Sequence, residues 1–108
     1  MQIGQEPLVV VGAVGVVGTS THLTARPTRE LVDAFLEGDV VHARTLHERL
    51  LPAYTGVFRT QGTILVKAAL NALGLPAGPV RLPLVDATAT QLDVLRTDLA
   101  RAGLSLDA

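Results

Sequence analysis

The chain has 108 residues, 48% hydrophobic, 18% charged and only 3% aromatic, which suits a single aliphatic core and is too short for a large enzyme fold. Nine basic residues against ten acidic ones leave a formal charge of -1, and no basic block is present that would neutralise several phosphates, which argues against nucleic acid as a partner. Cysteine is absent, the longest apolar run (residues 7–17) is about half of the roughly 20 residues a membrane-spanning helix needs, and the opening MQIGQE lacks a positive charge; these point to a cytoplasmic protein with no disulfide, membrane span or secretory signal.

The hydrophobic period changes once, between residues 23 and 24. In the first region, VVVGAVGVVGTST (residues 9–21) is β-branched and apolar on both faces. It predicts a helix end or turn and then a strand at about residues 14–19, of the kind buried inside a parallel sheet. The second region is helical. Leu31, Val32, Phe35 and Leu36 recur at helical spacing, with Gly38 as a breaker and Asp39 as the next N-cap. Val40, Ala43, Leu46, Leu50, Tyr54 and Val57 form the stripe of a second helix, in which Pro52 predicts a kink or break near Leu51. Ile64, Leu65, Ala68, Ala69 and Ala72 predict a third helix from about residue 63 to 73, ended by Gly74. Prolines 76, 79 and 83 make LGLPAGPVRLPL a loop. A capping box of Thr88 and Gln91 then opens a last helix along Leu92, Leu95 and Leu99, closed by Gly103. One strand followed by four helices is an incomplete design, because nothing else in the chain supplies the partner strands.

The candidates for chemistry are few. Gly12, Gly15 and Gly18 make GxxGxxG, a weak variant of the dinucleotide fingerprint, and Val16 and Val17 continue the β-branched run where a helix should already be starting. Small residues that let a packed strand approach its neighbours explain these glycines better. His42 and His47 are turned about 140° from each other on a helix and are read as solvated rather than as metal ligands. Lys67 in ILVKAAL is read as a snorkelling or ion-paired lysine, not a Schiff-base nucleophile, and Arg81 as a clamp on helix C-terminal carbonyls. Thr19, Ser20, Thr21 and His22 follow a buried parallel strand directly, the place where barrel enzymes keep their site loops.

PLVVVGAVGVV, LEGDVVHARTLHERLLP, ILVKAALNALGLPAGPVRLPL and LRTDLARAGL resemble, in order and with nearly uninterrupted spacing, the C-terminal third of dihydrodipicolinate synthase, also called 4-hydroxy-tetrahydrodipicolinate synthase; the most specific segments are GDxxxAR at 38–44, RLLP at 49–52 and KAAL, LGL and VRLPL within 67–84. The resemblance implies a mostly α chain: the C-terminal piece of a TIM (β/α)8 barrel, with residues 1–23 as the last barrel helix end and strand 8 and residues 24–108 as a helical extension of four helices. It also implies the family's reaction, a lyase-class condensation of pyruvate with aspartate semialdehyde through a lysine Schiff base in lysine and diaminopimelate biosynthesis, carried out by a homo-oligomer with no metal or organic cofactor. Val17 matches the aliphatic position that walls the pyruvate pocket.

The family's Schiff-base lysine, proton-relay tyrosines, threonine pair and carboxylate-binding arginine come from earlier strands and have no counterpart here; Lys67 matches a lysine of the extension. MQIGQE does not reproduce the glycine and acids ahead of the last barrel helix, and Gly18 and His22 replace commoner residues. The expectation is a C-terminal portion that is inactive by itself, with no catalytic residue of its own, no contact with nucleic acid or membrane, and a need for the missing barrel or for another copy. The alternatives are a stand-alone helical oligomerisation module and a nucleotide-binding βα unit.

Overall fold

The computed structural model describes residues 12–106 apart from Val16. Four helices make up the body: α1 (Thr21–Leu36), α2 (Val40–Gly56), α3 (Gly62–Ala72) and α4 (Ala89–Arg101). The β-branched residues of 14–19 that are described form no strand, and no strand occurs among the described residues. A strand's amide and carbonyl groups need partner strands, and none of the described residues supplies one. Val14 and Val17 are in consequence fully exposed, at 104% and 103%.

α1 and α2 form an antiparallel hairpin across the short EGD link. Gly38, at φ 88, takes the left-handed conformation after α1, and the Asp39 amide closes back on the Ala34 carbonyl at 2.8 Å. Asp39 then caps α2, its Oδ1 accepting from the His42 amide at 3.1 Å. α3 and α4 end with the same six-to-one bond, from the Leu75 amide to the Leu70 carbonyl and from the Leu104 amide to the Leu99 carbonyl. Along the hairpin, Leu31 and Ala34 of α1 bury against Ala43 and Leu46 of α2.

The larger cluster lies around the second half of α2. Leu50, Ala53, Tyr54 and Val57 are fully buried with Leu65 and Ala69 of α3, Leu95 and Leu99 of α4, and Ala102 and Leu106 beyond it. Each buried leucine contributes roughly 1.5–3 kcal/mol relative to exposure. This packing explains why the break predicted near Leu51 does not occur: one helix continues through Pro52 to Gly56. A proline removes one helical hydrogen bond, whereas breaking α2 there would pull apart the residues on both sides of Pro52 that share the core.

The loop between α3 and α4 is held by side chains of α3. Asn71 Oδ1 accepts from the amides of Ala77 and Gly78 at 3.1 Å each, and its Nδ2 donates to the Gly78 carbonyl at 2.9 Å. Lys67 Nζ donates to the Pro79 carbonyl at 2.9 Å. Arg81, expected to clamp helix C-terminal carbonyls, is exposed, and the loop's own carbonyls at Gly78 and Pro79 are instead held by Asn71 and Lys67. α4 opens with the anticipated capping box, Thr88 Oγ1 accepting from the Gln91 amide at 3.1 Å and Gln91 Oε1 from the Thr88 amide at 2.9 Å.

Candidate functional site

The polar residues after Val17 build a tightly pinned turn. The Gly18 carbonyl accepts from Thr21 Oγ1 at 2.7 Å, and the Thr19 carbonyl contacts His22 Nδ1 at 3.0 Å, which requires the tautomer protonated at that nitrogen. The Ser20 carbonyl accepts from the Leu23 amide at 2.9 Å, the Thr24 amide at 3.1 Å and Thr24 Oγ1 at 3.1 Å. Three successive carbonyls are thus fixed by side chains from the first turn of α1. The helix is distorted at this point: Thr24 sits at φ -117, ψ 17, three residues before Pro27, whose ring displaces the carbonyl one turn earlier.

From Thr24 the hydroxyl contacts continue inward. Thr28 Oγ1 donates to Thr24 Oγ1 at 3.2 Å, and Thr28 Oγ1 lies 2.9 Å from Tyr54 Oη of α2. Each hydroxyl has one proton to give, so the chain has one direction: Tyr54 donates to Thr28, Thr28 to Thr24, and Thr24 to the Ser20 carbonyl. Tyr54, Thr24 and Ser20 are fully buried. Burial pushes the Tyr54 phenol above its ordinary range, with the Thr28 hydrogen bond partly offsetting it. The signal in the sequence is the spacing of four between Thr24 and Thr28, which puts the two hydroxyls on one side of α1.

A second anchor joins the same turn to α3. A Cβ on Gly62 would stand 3.1 Å from Thr19 Cγ2 and 2.9 Å from Phe58 Cε1, so glycine is what allows Thr19 to seat at the start of α3.

The other sequence candidates do not join this cluster. α1 begins only at Thr21, three residues past Gly18, so the glycines do not open a helix as a phosphate-cradling turn must. His42 is exposed, as anticipated, with Nε2 3.0 Å from Glu30 Oε1. His47 departs from its solvated reading: it is half-buried and its Nδ1 is buried without a hydrogen-bond partner. His47 stands in α2 between Leu46 and Leu50, two residues of the buried stripe, so its ring is only partly open to solvent. No group of three or more metal-ligating side chains occurs among the described residues. Nor is any helix among them long and apolar enough to cross a membrane. Sequence reasoning also missed the pair between Arg59 and the buried Asp98, where Arg59 Nε and Nη2 donate to the two carboxylate oxygens at 2.5 and 3.0 Å. This contact holds the guanidinium above its ordinary range, chiefly through the hydrogen bond.

A helical body with its own core is thus preceded by β-branched residues that meet no partner strand among the described residues, as a piece taken from a larger barrel protein would be. Residues 4–102 match the model of the dihydrodipicolinate synthetase family, and the chain belongs to that family. It is 58% identical over 99 residues to the 4-hydroxy-tetrahydrodipicolinate synthase of Acidothermus cellulolyticus, covering 92% of this chain and 32% of the relative. The corresponding enzyme of Symbiobacterium thermophilum is 51% identical over 98 residues, covering 91% and 33%. The structure is similar to that of the Cyanidioschyzon merolae dihydrodipicolinate synthase with lysine bound, with a TM-score of 0.83 and 35% identity over 91% of this chain and 33% of that one. The chain therefore spans about a third of the length of these relatives.

Proposed function

We propose that this chain acts as the C-terminal part of a dihydrodipicolinate synthase, in which pyruvate condenses with aspartate semialdehyde through a lysine imine. The observation that carries the reading is the contrast between a self-sufficient helical core and the fully exposed Val14 and Val17 just ahead of it. β-branched residues next to a packed body call for a sheet to complete them, and a barrel supplies that sheet. In this reading residues 1–23, of which 1–11 and 16 lie outside the described residues, would be the last barrel helix end and strand 8, and residues 24–108 the extension, with Val17 in the aliphatic wall beside pyruvate.

By itself the 108-residue polypeptide carries no condensation activity. Imine formation needs a desolvated lysine beside the substrate, whereas Lys67 has its amine on the Pro79 carbonyl of a surface loop. The working protein is a cytoplasmic homo-oligomer that uses no metal or organic cofactor. The test is borohydride trapping with labelled pyruvate, on this chain alone and mixed with the barrel portion of a family member. The expected result is label on the barrel portion and none on this chain. Covalent label on Lys67 would overturn the reading.

A further inference from the structure

The hydroxyl chain from Tyr54 ends on backbone three residues past Val17, and nothing in the proposed chemistry uses it. We propose that Tyr54 is a positioning residue: through Thr28 and Thr24 it fixes the Ser20 carbonyl, and with it the turn that sets where Val17 stands in the pyruvate pocket. The inference rests on the reading of Val17 given above. Its support is geometric. Tyr54 belongs to α2, 26 positions from Thr28, so this contact ties the start of α1 to the largest core of the molecule. The local helix is irregular here: the backbone at Thr24 is non-helical, and Pro27 lacks the amide that would bond the Leu23 carbonyl, so the Leu23 and Thr24 amides that reach the Ser20 carbonyl sit in a distorted first turn. The side-chain ladder stands in for the missing helical regularity.

Burying three hydroxyl groups is unfavourable unless each is hydrogen-bonded, and an apolar triad of similar shape would fill the same space. What the hydroxyls add is direction. An alternating donor and acceptor series has one low-energy arrangement, which holds the Ser20 carbonyl at a defined place, whereas apolar packing there would let the turn slide. Thr19 against Gly62 restrains the same turn from the side of α3.

The test has two arms, each with Tyr54→Phe, Thr28→Val and the two combined. In the chain alone, hydrogen exchange is read at the Leu23 and Thr24 amides, which both bond the Ser20 carbonyl. Tyr54→Phe is expected to speed these two roughly fivefold, the effect of one buried hydrogen bond, while α3 and α4 amides keep their rates. Thr28→Val, which removes both bonds made by Thr28, is expected to have at least the effect of Tyr54→Phe, and the combined variant to add nothing to Thr28→Val, as befits a series connection. Uniform acceleration of all amides, or none at Leu23 and Thr24, would overturn the proposal. In the second arm each variant is combined with the barrel portion of a family member and assayed for condensation. The expected outcome is a pyruvate KM raised about fivefold with kcat changed less. Leu46→Val, in the separate cluster between α1 and α2, lowers stability without moving KM. An unchanged KM in Tyr54→Phe, or an equal rise in Leu46→Val, overturns the positioning role. If the unsubstituted assembly forms no pyruvate imine, the condensing reading fails, and the exchange arm then decides the positioning claim.

Discussion

The crossing of α2 and α4 yields a prediction whose magnitude follows from the geometry. Gly56 closes α2, and a Cβ built on it would lie 2.8 Å from both Cβ and Oδ2 of Asp98 and 3.1 Å from its Cγ. Carbon atoms pack at about 3.5–4.0 Å, so Gly56→Ala demands a separation of roughly 0.7–1.2 Å. Asp98 cannot yield by rotating its side chain, because its own Cβ is among the blocking atoms; α4 has to move as a body, together with Leu95 and Leu99. Overpacking of this kind costs about 1–3 kcal/mol, and the gain in helix propensity on replacing glycine recovers about 0.5–1 kcal/mol. The net loss centres on about 1 kcal/mol, a fall in Tm of roughly 4–8 °C for a domain of this size. Thermal and urea unfolding followed by far-UV circular dichroism reads it. Asp98→Ala in the Gly56→Ala background should restore little, since it leaves the Cβ in place. A Gly56→Ala protein as stable as the parent would refute the close approach of the two helices.

Three further outcomes follow from the packing and the caps. Tyr54 is the single tyrosine, and burial raises its pKa from 10.0, so its contribution to stability is present below about pH 10 and lost as the pH rises further. Tyrosinate absorbance and loss of helix should accordingly rise together in alkaline titration; tyrosinate forming first in an intact helical protein would contradict the burial. Asn71→Ala removes three hydrogen bonds from the loop and should accelerate tryptic cleavage after the exposed Arg81 severalfold relative to other sites; an unchanged cleavage rate would show the loop to be held otherwise. Thr88→Ala breaks the capping box and should destabilise the protein by about 1 kcal/mol, measured as a lower urea midpoint at unchanged m-value, with an unmoved midpoint as the contrary result.

Much of the helical body was legible from local signals. Asp39, Gly38, Gly74, Gly103 and the Thr88–Gln91 box mark helix ends by chemistry confined to a few residues, and each marks one in the structure. Contacts between distant residues left no such mark. Arg59 and Asp98 are 39 positions apart, and only the crossing of α2 and α4 brings them together. Pro52 does not break α2, because burial on both sides of it keeps the helix continuous, and the burial of His47 depends on how the helices pack. At the candidate site, the polar cluster from Thr19 to His22 was visible as composition, while its extension through Thr28 to Tyr54 required the fold.

The measurement that bears most directly on the account is hydrogen exchange at Val14, Gly15, Val17 and Gly18, in the chain alone and after addition of the barrel portion of a family member. In isolation these amides should exchange near the unprotected rate, and they should become strongly protected once a sheet is available to receive them. Protection already present in the isolated chain, or none after the barrel portion is added, would contradict this.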